Sequence, residues 1–314
     1  MSNDTIRGTA IPVAPDEIAH PEISPTVRDD TRYLGRILGE VIREQEGEYT
    51  FNLIENSRRA AFDLRYGEMQ IDQLAEQFNS LPTEKALPVI RAFSHFALMA
   101  NLAEDLYVER VRDLEEDRGN TAPRSTLAYT WQELHNREVP GEKVAETMAN
   151  ALVAPVLTAH PTETRRRTVF DVQTDIMKMM RRRARVLKEL KLNPDSVRAA
   201  RQLTQIELVI RRRMTLLWQT SLIRSVRPRI EDEIKVGLRY YGISLLNEIP
   251  AINRRVNEHM KEQYGDTVPH TAIVRPGSWI GGDHDGNPYV TAETVSIATV
   301  SYTHLRAHET LRYL

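Results

Sequence analysis

A mostly α fold is what this sequence predicts, and three observations carry it. Apolar residues recur at intervals of three and four over long stretches, as in Leu34, Ile37, Leu38 and Val41, in Val89, Phe93, Phe96, Leu98 and Leu102, and in Val169, Val172, Ile176 and Met179. That period places them on one side of a helix. Only two stretches, Leu152 to Leu157 and Thr271 to Val274, read as extended, and both are brief. Proline and glycine punctuate the remainder at Pro228, Gly242 and Pro250, where helix breaks are expected.

In chain order, residues 1–23 hold Pro12, Pro15 and Pro21 with little periodicity and read as a flexible arm. Order is expected to begin near Ser24, and residues 24–150 form an N-terminal helical region. Within it, amphipathic helices run from Thr31 to about Arg118, with their phenylalanines in the core. Gly119 to Pro123 reads as a loop, and residues 126–150 as a linker with helical pieces. Leu152, Val153, Val156 and Leu157 then form an apolar run, rich in β-branched residues and too short for an ordinary helix, which predicts a buried strand.

That strand ends on the most informative segment, LTAHPTETRRRT. Pro161 fixes a backbone angle suited to the start of a helix and pushes His160 out of helical geometry, so the strand-to-helix turn falls at His160. Free amide groups of the first helical turn, with the guanidinium forks of Arg166 and Arg167, would hold a phosphate or carboxylate beside the imidazole. Histidine titrates near neutrality and could exchange protons with that ligand. A bland reading competes: the His-Pro caps a helix whose arginines are merely solvated.

The second informative segment, RPGSWIGGDHDGNPYVT at residues 275–291, follows the extended stretch at Thr271 to Val274. Four glycines and two prolines rule out a regular helix, while Asp283, His284, Asp285 and Asn287 supply polar groups in tight turns. Asp283, Asp285 and Asn287 match the first positions of a calcium loop, but Pro288 stands where glycine is needed and Thr294 where a bidentate glutamate is needed. Calcium is therefore set aside.

Composition narrows the function classes. The 314 residues carry a formal net charge of -2 and no cysteine, so disulfides and thiol catalysis are excluded and nothing draws the whole chain to nucleic acid. Residues 164–213 hold fifteen Arg and Lys against five Asp and Glu, which makes an arginine-rich RNA- or DNA-binding protein a rival reading. The apolar stripe within that stretch favours a solvated or ion-paired face instead. The longest apolar runs, such as ALVAPVLTA, fall short of a membrane helix, and the N-terminus lacks a signal pattern. A cytoplasmic location without membrane contact is expected.

Taken in order, LTAHPTETRRRT and GSWIGGDHDGNPYVTAET resemble two signature segments of phosphoenolpyruvate carboxylase. The resemblance extends to ISPTVRDDTRYLGRILGEVIREQEG, LPVIRAFSHFALMANLAED and LLWQTSLIRSVRPRIEDEIKVGL, spanning about residues 24–295. It implies a helical N-terminal region followed, over residues 151–295, by the first strands of an incomplete α/β (TIM-like) barrel. It also implies carboxylation of phosphoenolpyruvate with bicarbonate to oxaloacetate and phosphate, feeding the tricarboxylic acid cycle in a homotetramer that uses Mg2+ or Mn2+. In that scheme bicarbonate attacks phosphorus, giving carboxyphosphate and the enolate of pyruvate. His160 matches the histidine that takes a proton and helps release the carbon dioxide that the enolate captures. Arg166 and Arg167 match the motif's anion-binding pair.

Three features depart from the family. Its second motif commonly has arginine where this chain has His284, and imidazole is neither permanently charged nor bidentate. Family members run to roughly three times this length, so the metal-binding carboxylates, the mobile loop and most of the barrel fall outside these residues, and the chain alone is expected to be inactive. The family-like text stops near Val295, and residues 296–314 form a tail of doubtful family origin, whose SYTHLRAHETLRYL resembles translated adapter sequence. In that tail His304 and His308 are one helical turn apart, a spacing open to zinc, but without the glutamate that zinc proteases carry. A stand-alone anion-binding helical module without catalysis is the alternative.

Overall fold

The computed structural model describes residues 20–67, 70–79, 81–119, 124, 126–158, 167–221 and 229–310. In chain order its elements are α1 (Val27–Arg65), α2 (Ile71–Asn79), α3 (Thr83–Arg118), α4 (Leu127–Asn136), α5 (Gly141–Asn150), β1 (Val156–Leu157), α6 (Arg167–Leu192), α7 (Val197–Gln219), α8 (Ile230–Tyr240), α9 (Leu246–Tyr264), β2 (Gly277–Ser278) and α10 (Ala292–Thr310). The mostly α expectation holds. β1 and β2 are the only strands of the only sheet among the described residues, so no barrel is formed by them.

The chain divides into two compact units, residues 1–118 with 165–223 and residues 119–164 with 224–314. In the first unit α1 pairs with α3, α6 pairs with α7, and α1 also packs on α7. Thr26 starts α1 through a reciprocal cap: its hydroxyl accepts from the Asp29 amide at 3.1 Å, and the Asp29 carboxylate accepts from the Thr26 amide at 3.0 Å. Gly47 interrupts α1 at φ 83 and ψ 170, a conformation that L side chains rarely adopt.

The core follows the predicted periodicity. Leu34, Ile37 and Val41 of α1, Met99 and Leu106 of α3, Val169 and Ile176 of α6, and Ile206, Ile210 and Met214 of α7 form one buried cluster. Each such side chain contributes about 1.5–3 kcal/mol by leaving water. On α6 it is Met180 that is fully buried, with Met179 packed at the margin. On α3, Phe96 packs against the core as expected, but Phe93 is 37% exposed in an open apolar groove with Phe78, Val89 and Ile90. The correction reflects phase: His95, not Phe93, faces inward and is fully buried. Helix α3 is also long and apolar enough to cross a membrane, which contiguous runs did not reveal, although Val89, Leu98, Met99 and Leu102 on it are packed inside the unit.

Among the buried polar residues of this unit, Asp30 and His95 are the ionisable ones described. Asp30 of α1 is 1% exposed and pairs with Arg110 of α3 at 2.8 Å and Arg183 of α6 at 3.2 Å. Arg183 also stacks on Tyr33, 3.9 Å from the ring centroid. Three more of the arginines that suggested nucleic acid form ion pairs at more exposed positions: Arg181 with Glu109, Arg211 with Glu40 and Glu44, and Arg213 with Asp175.

His95 lies 5.6 Å from the Trp218 ring, and neither of its ring nitrogens has a hydrogen-bond partner. Burial, reinforced by the charge of Arg91, pushes its pKa down from 6.5 to about 4. The folded value lies below the unfolded one, so the stabilising contribution is complete above pH 6.5 and is lost as pH falls toward 4. The loss should be about 3 kcal/mol. Urea titrations between these pH values should show it in the wild type, and His95→Phe should flatten the dependence; equal slopes would refute the assignment.

In the second unit the region read as a linker folds into α4 and α5. Val144 of α5 packs with Val256 and Met260 of α9, flanked by Trp131 and Leu134 of α4. A smaller cluster joins Ile230 and Ile234 of α8 to Val290, with Ile280 and Ala298 against it. Between α8 and α9 the chain makes one wide π turn, Tyr241–Leu245, that contains Gly242. Pro250 does not end the helix as predicted: it lies inside α9, in the turns directly after that π turn, where the backbone ladder is already opened. The predicted tail continues as helix, since α10 runs from Ala292 through Thr310.

Candidate active site

β1 and β2 run parallel, with Val156 opposite Gly277 and Leu157 opposite Ser278. Backbone amides extend the pairing on both sides: Val153 donates to Ile273 at 2.8 Å, Gly277 to Pro155 at 3.0 Å, and Trp279 to Leu157 at 2.8 Å. Parallel strands share one carboxyl end, and in the chain each informative segment follows its strand from that end. Ligand sites of α/β enzymes are built at that end.

The predicted strand was expected to be buried, but Leu152, Val153 and Val156 are 58%, 57% and 39% exposed. A two-stranded sheet has too few neighbours to cover its faces and edges. One edge is nonetheless satisfied by α9. Asn257 accepts from the Thr271 amide and donates to the Thr271 carbonyl, both at 3.0 Å, and Asn253 does the same for Val274, both at 3.0 Å. Two asparagines one helical turn apart thus replace a strand partner. At β2 itself the Tyr241 hydroxyl donates to the Gly277 carbonyl at 2.9 Å.

The glycine-rich loop is seated by close contacts. Gly237 on α8 leaves room for Ile280, because a Cβ there would come within 2.3 Å of it. Gly281, at φ 82, sits where a Cβ would meet Ala298 and Ile234 at 2.9 Å. The Asp283 carboxylate accepts from the Asp285 amide at 3.3 Å, and the Asn287 side chain from the Tyr289 amide at 3.1 Å. Thr294 is a buried capping residue: its hydroxyl accepts from the Thr291 amide at 2.9 Å and lies within donating distance of the Thr291 carbonyl at 2.8 Å and the Gly281 carbonyl at 3.2 Å. His284 is exposed, and its Nδ1 lies 2.9 Å from the Val290 carbonyl, so Nδ1 carries the proton that it donates there.

His160 and Arg166 lie outside the described residues, and Arg167 is described only as the first residue of α6. By position in the chain, His160 and His284 belong to the second unit, and Arg166 and Arg167 to the first. Tyr241, Asn253, Asn257, Gly237 and Thr294 were not identified from sequence. The Asn-x-x-x-Asn spacing was the one visible signal, and on a polar helix face it reads as solvated. Among the described residues no group of three or more His, Asp or Glu side chains could hold a metal ion. His304 is hydrogen-bonded through Nδ1 to the Val300 carbonyl at 2.9 Å, while the side chain of His308 lies outside the described residues.

Fold and loop define a mostly helical protein in which two short parallel strands share one carboxyl end and a glycine-rich loop follows the second of them. The family profile for phosphoenolpyruvate carboxylase matches residues 27–313, continuing past Val295 into the tail. A phosphoenolpyruvate carboxylase of Corynebacterium glutamicum is 55% identical over 287 residues, which cover 91% of this chain and 30% of the relative. Those of Nocardia farcinica and Mycobacterium leprae are 47% and 43% identical over 270 and 281 residues, covering 86% and 89% of this chain and 28% and 29% of the relatives. The chain belongs to the phosphoenolpyruvate carboxylase family, and spans about 30% of the length of these relatives.

Proposed function

We propose that these residues form the N-terminal part of a phosphoenolpyruvate carboxylase, which adds bicarbonate to phosphoenolpyruvate in the cytoplasm and releases oxaloacetate and phosphate. The observation that carries this reading is the parallel pairing of β1 with β2, from whose common carboxyl end both motif segments depart. His160 accepts the proton of carboxyphosphate as it breaks down to carbon dioxide and phosphate, and Arg166 and Arg167 hold the anion. His284 occupies the place of a phosphate-binding arginine, with Nε2 as its second polar atom because Nδ1 is engaged by Val290. The divalent cation is held by the remainder of the enzyme, no step here is assigned to it, and the chain alone is inactive. The sheet is completed into a barrel by that remainder, and the whole assembles as a homotetramer with no role for nucleic acid or membrane. The pairing of Arg181, Arg211 and Arg213 with acidic side chains supports this over an RNA- or DNA-binding role.

A chimaera tests the reading. Residues 27–295 should replace the matching segment of the Corynebacterium glutamicum enzyme, and the product should form oxaloacetate from phosphoenolpyruvate only when bicarbonate and Mg2+ are present. The 314-residue chain should form none. An inactive chimaera that folds and assembles would favour a non-catalytic anion-binding module.

A further inference from the structure

We infer that Tyr241 is a positioning residue: its hydroxyl holds the peptide at which the two motif-bearing strands pair, and so sets where their carboxyl ends lie. The consequence for turnover rests on the carboxylase reading; the structural part does not. Tyr241 is 2% exposed and stands at the start of the π turn, where the chain leaves α-helical phase. Its ring packs edge-on against Tyr302, with centroids 4.8 Å apart, so that the ring is held from α10 while the hydroxyl reaches Gly277 at 2.9 Å.

Gly277 is where the constraints on the sheet converge. Its amide donates to Pro155 beside β1, its carbonyl accepts from Tyr241, and a Cβ on it would lie 3.2 Å from Val156. Asn253 and Asn257 hold the approach to β2 at Val274 and Thr271, residues that precede the strand. Tyr241 grips β2 itself, on its first residue. Two paired residues per strand leave the register weakly specified, so a single donor placed there has unusual leverage.

Tyr241→Phe keeps the ring and removes the donor. In the 314-residue chain, amide exchange followed by NMR should become about tenfold faster at Gly277 and Trp279, whose amides bond to Pro155 and Leu157, with α8 and α9 unchanged. In the chimaera, kcat should fall about tenfold while KM for phosphoenolpyruvate stays within about twofold, because the change displaces one motif relative to the other without removing a binding group. Unchanged exchange at Gly277 and Trp279 overturns the inference. So does acceleration spread through the whole unit, which would make Tyr241 a packing residue, or an unaltered kcat in an active chimaera. A chimaera inactive with Tyr241 intact counts against the carboxylase reading, and leaves the exchange result to decide the role of Tyr241 in the fold.

Discussion

His160→Asn should lower the kcat of the chimaera by about two to four orders of magnitude, the range that a positioned general base contributes, with phosphoenolpyruvate binding nearly unchanged. In the proposed reaction bicarbonate attacks phosphorus and the bond between phosphorus and the enol oxygen breaks, leaving the enolate of pyruvate. The carboxyphosphate so formed still carries a proton that must leave for carbon dioxide and phosphate to separate. Imidazole can take that proton near neutral pH; the asparagine amide fills similar space but has no accessible basic pair. The effect therefore belongs in kcat, and in kcat/KM to the same extent, whereas binding measured by isothermal titration should hold within a few-fold. A loss below about tenfold would remove His160 from the chemistry and leave it as a helix-start residue. Arg166→Gln and Arg167→Gln serve as comparators, since an anion-binding role raises KM.

Asp30→Ala should be the most damaging substitution in the first unit, costing about 3–5 kcal/mol. The carboxylate is 1% exposed, and the guanidinium groups of Arg110 and Arg183 that it bridges are 17% and 16% exposed. Removing it leaves two like charges near one another in a poorly solvated site, and unlinks α1 from α3 and α6 at one point. Burial holds the Asp30 carboxyl above its usual range, and the opposing pull of Arg110 does not cancel that. Its folded value is thus raised, and the sign of its own contribution follows: greatest below the ordinary carboxylate range and declining as pH rises through it. The pair is therefore not a source of net stability at neutral pH so much as a costly arrangement that fails badly when halved. Urea unfolding of Asp30→Ala at pH 7 measures the cost. A value under about 1 kcal/mol would mean that the arginines reach water once released.

Much of this protein was determined by its sequence alone. Apolar spacing located the helices, because a helix buries one face and writes that face into every third and fourth residue. The four glycines of residues 275–291 marked the turns there, because glycine frees the backbone wherever it stands. His160, Arg166, Arg167 and His284 were legible as candidates through motif resemblance, and the family comparison supports the same assignment of the chain.

Only tertiary structure decided which of two inward options α3 would take, placing His95 in the core and Phe93 in a groove. It alone joined Asp30 to Arg110 and Arg183, 80 and 153 positions away, set Asn253 and Asn257 against a strand edge, and brought Tyr241 to Gly277, 36 positions on. Such contacts leave no periodic trace. A hydrogen bond or ion pair between distant residues depends on helix phase and strand register, and these are set by the packing of whole elements, which no local propensity encodes.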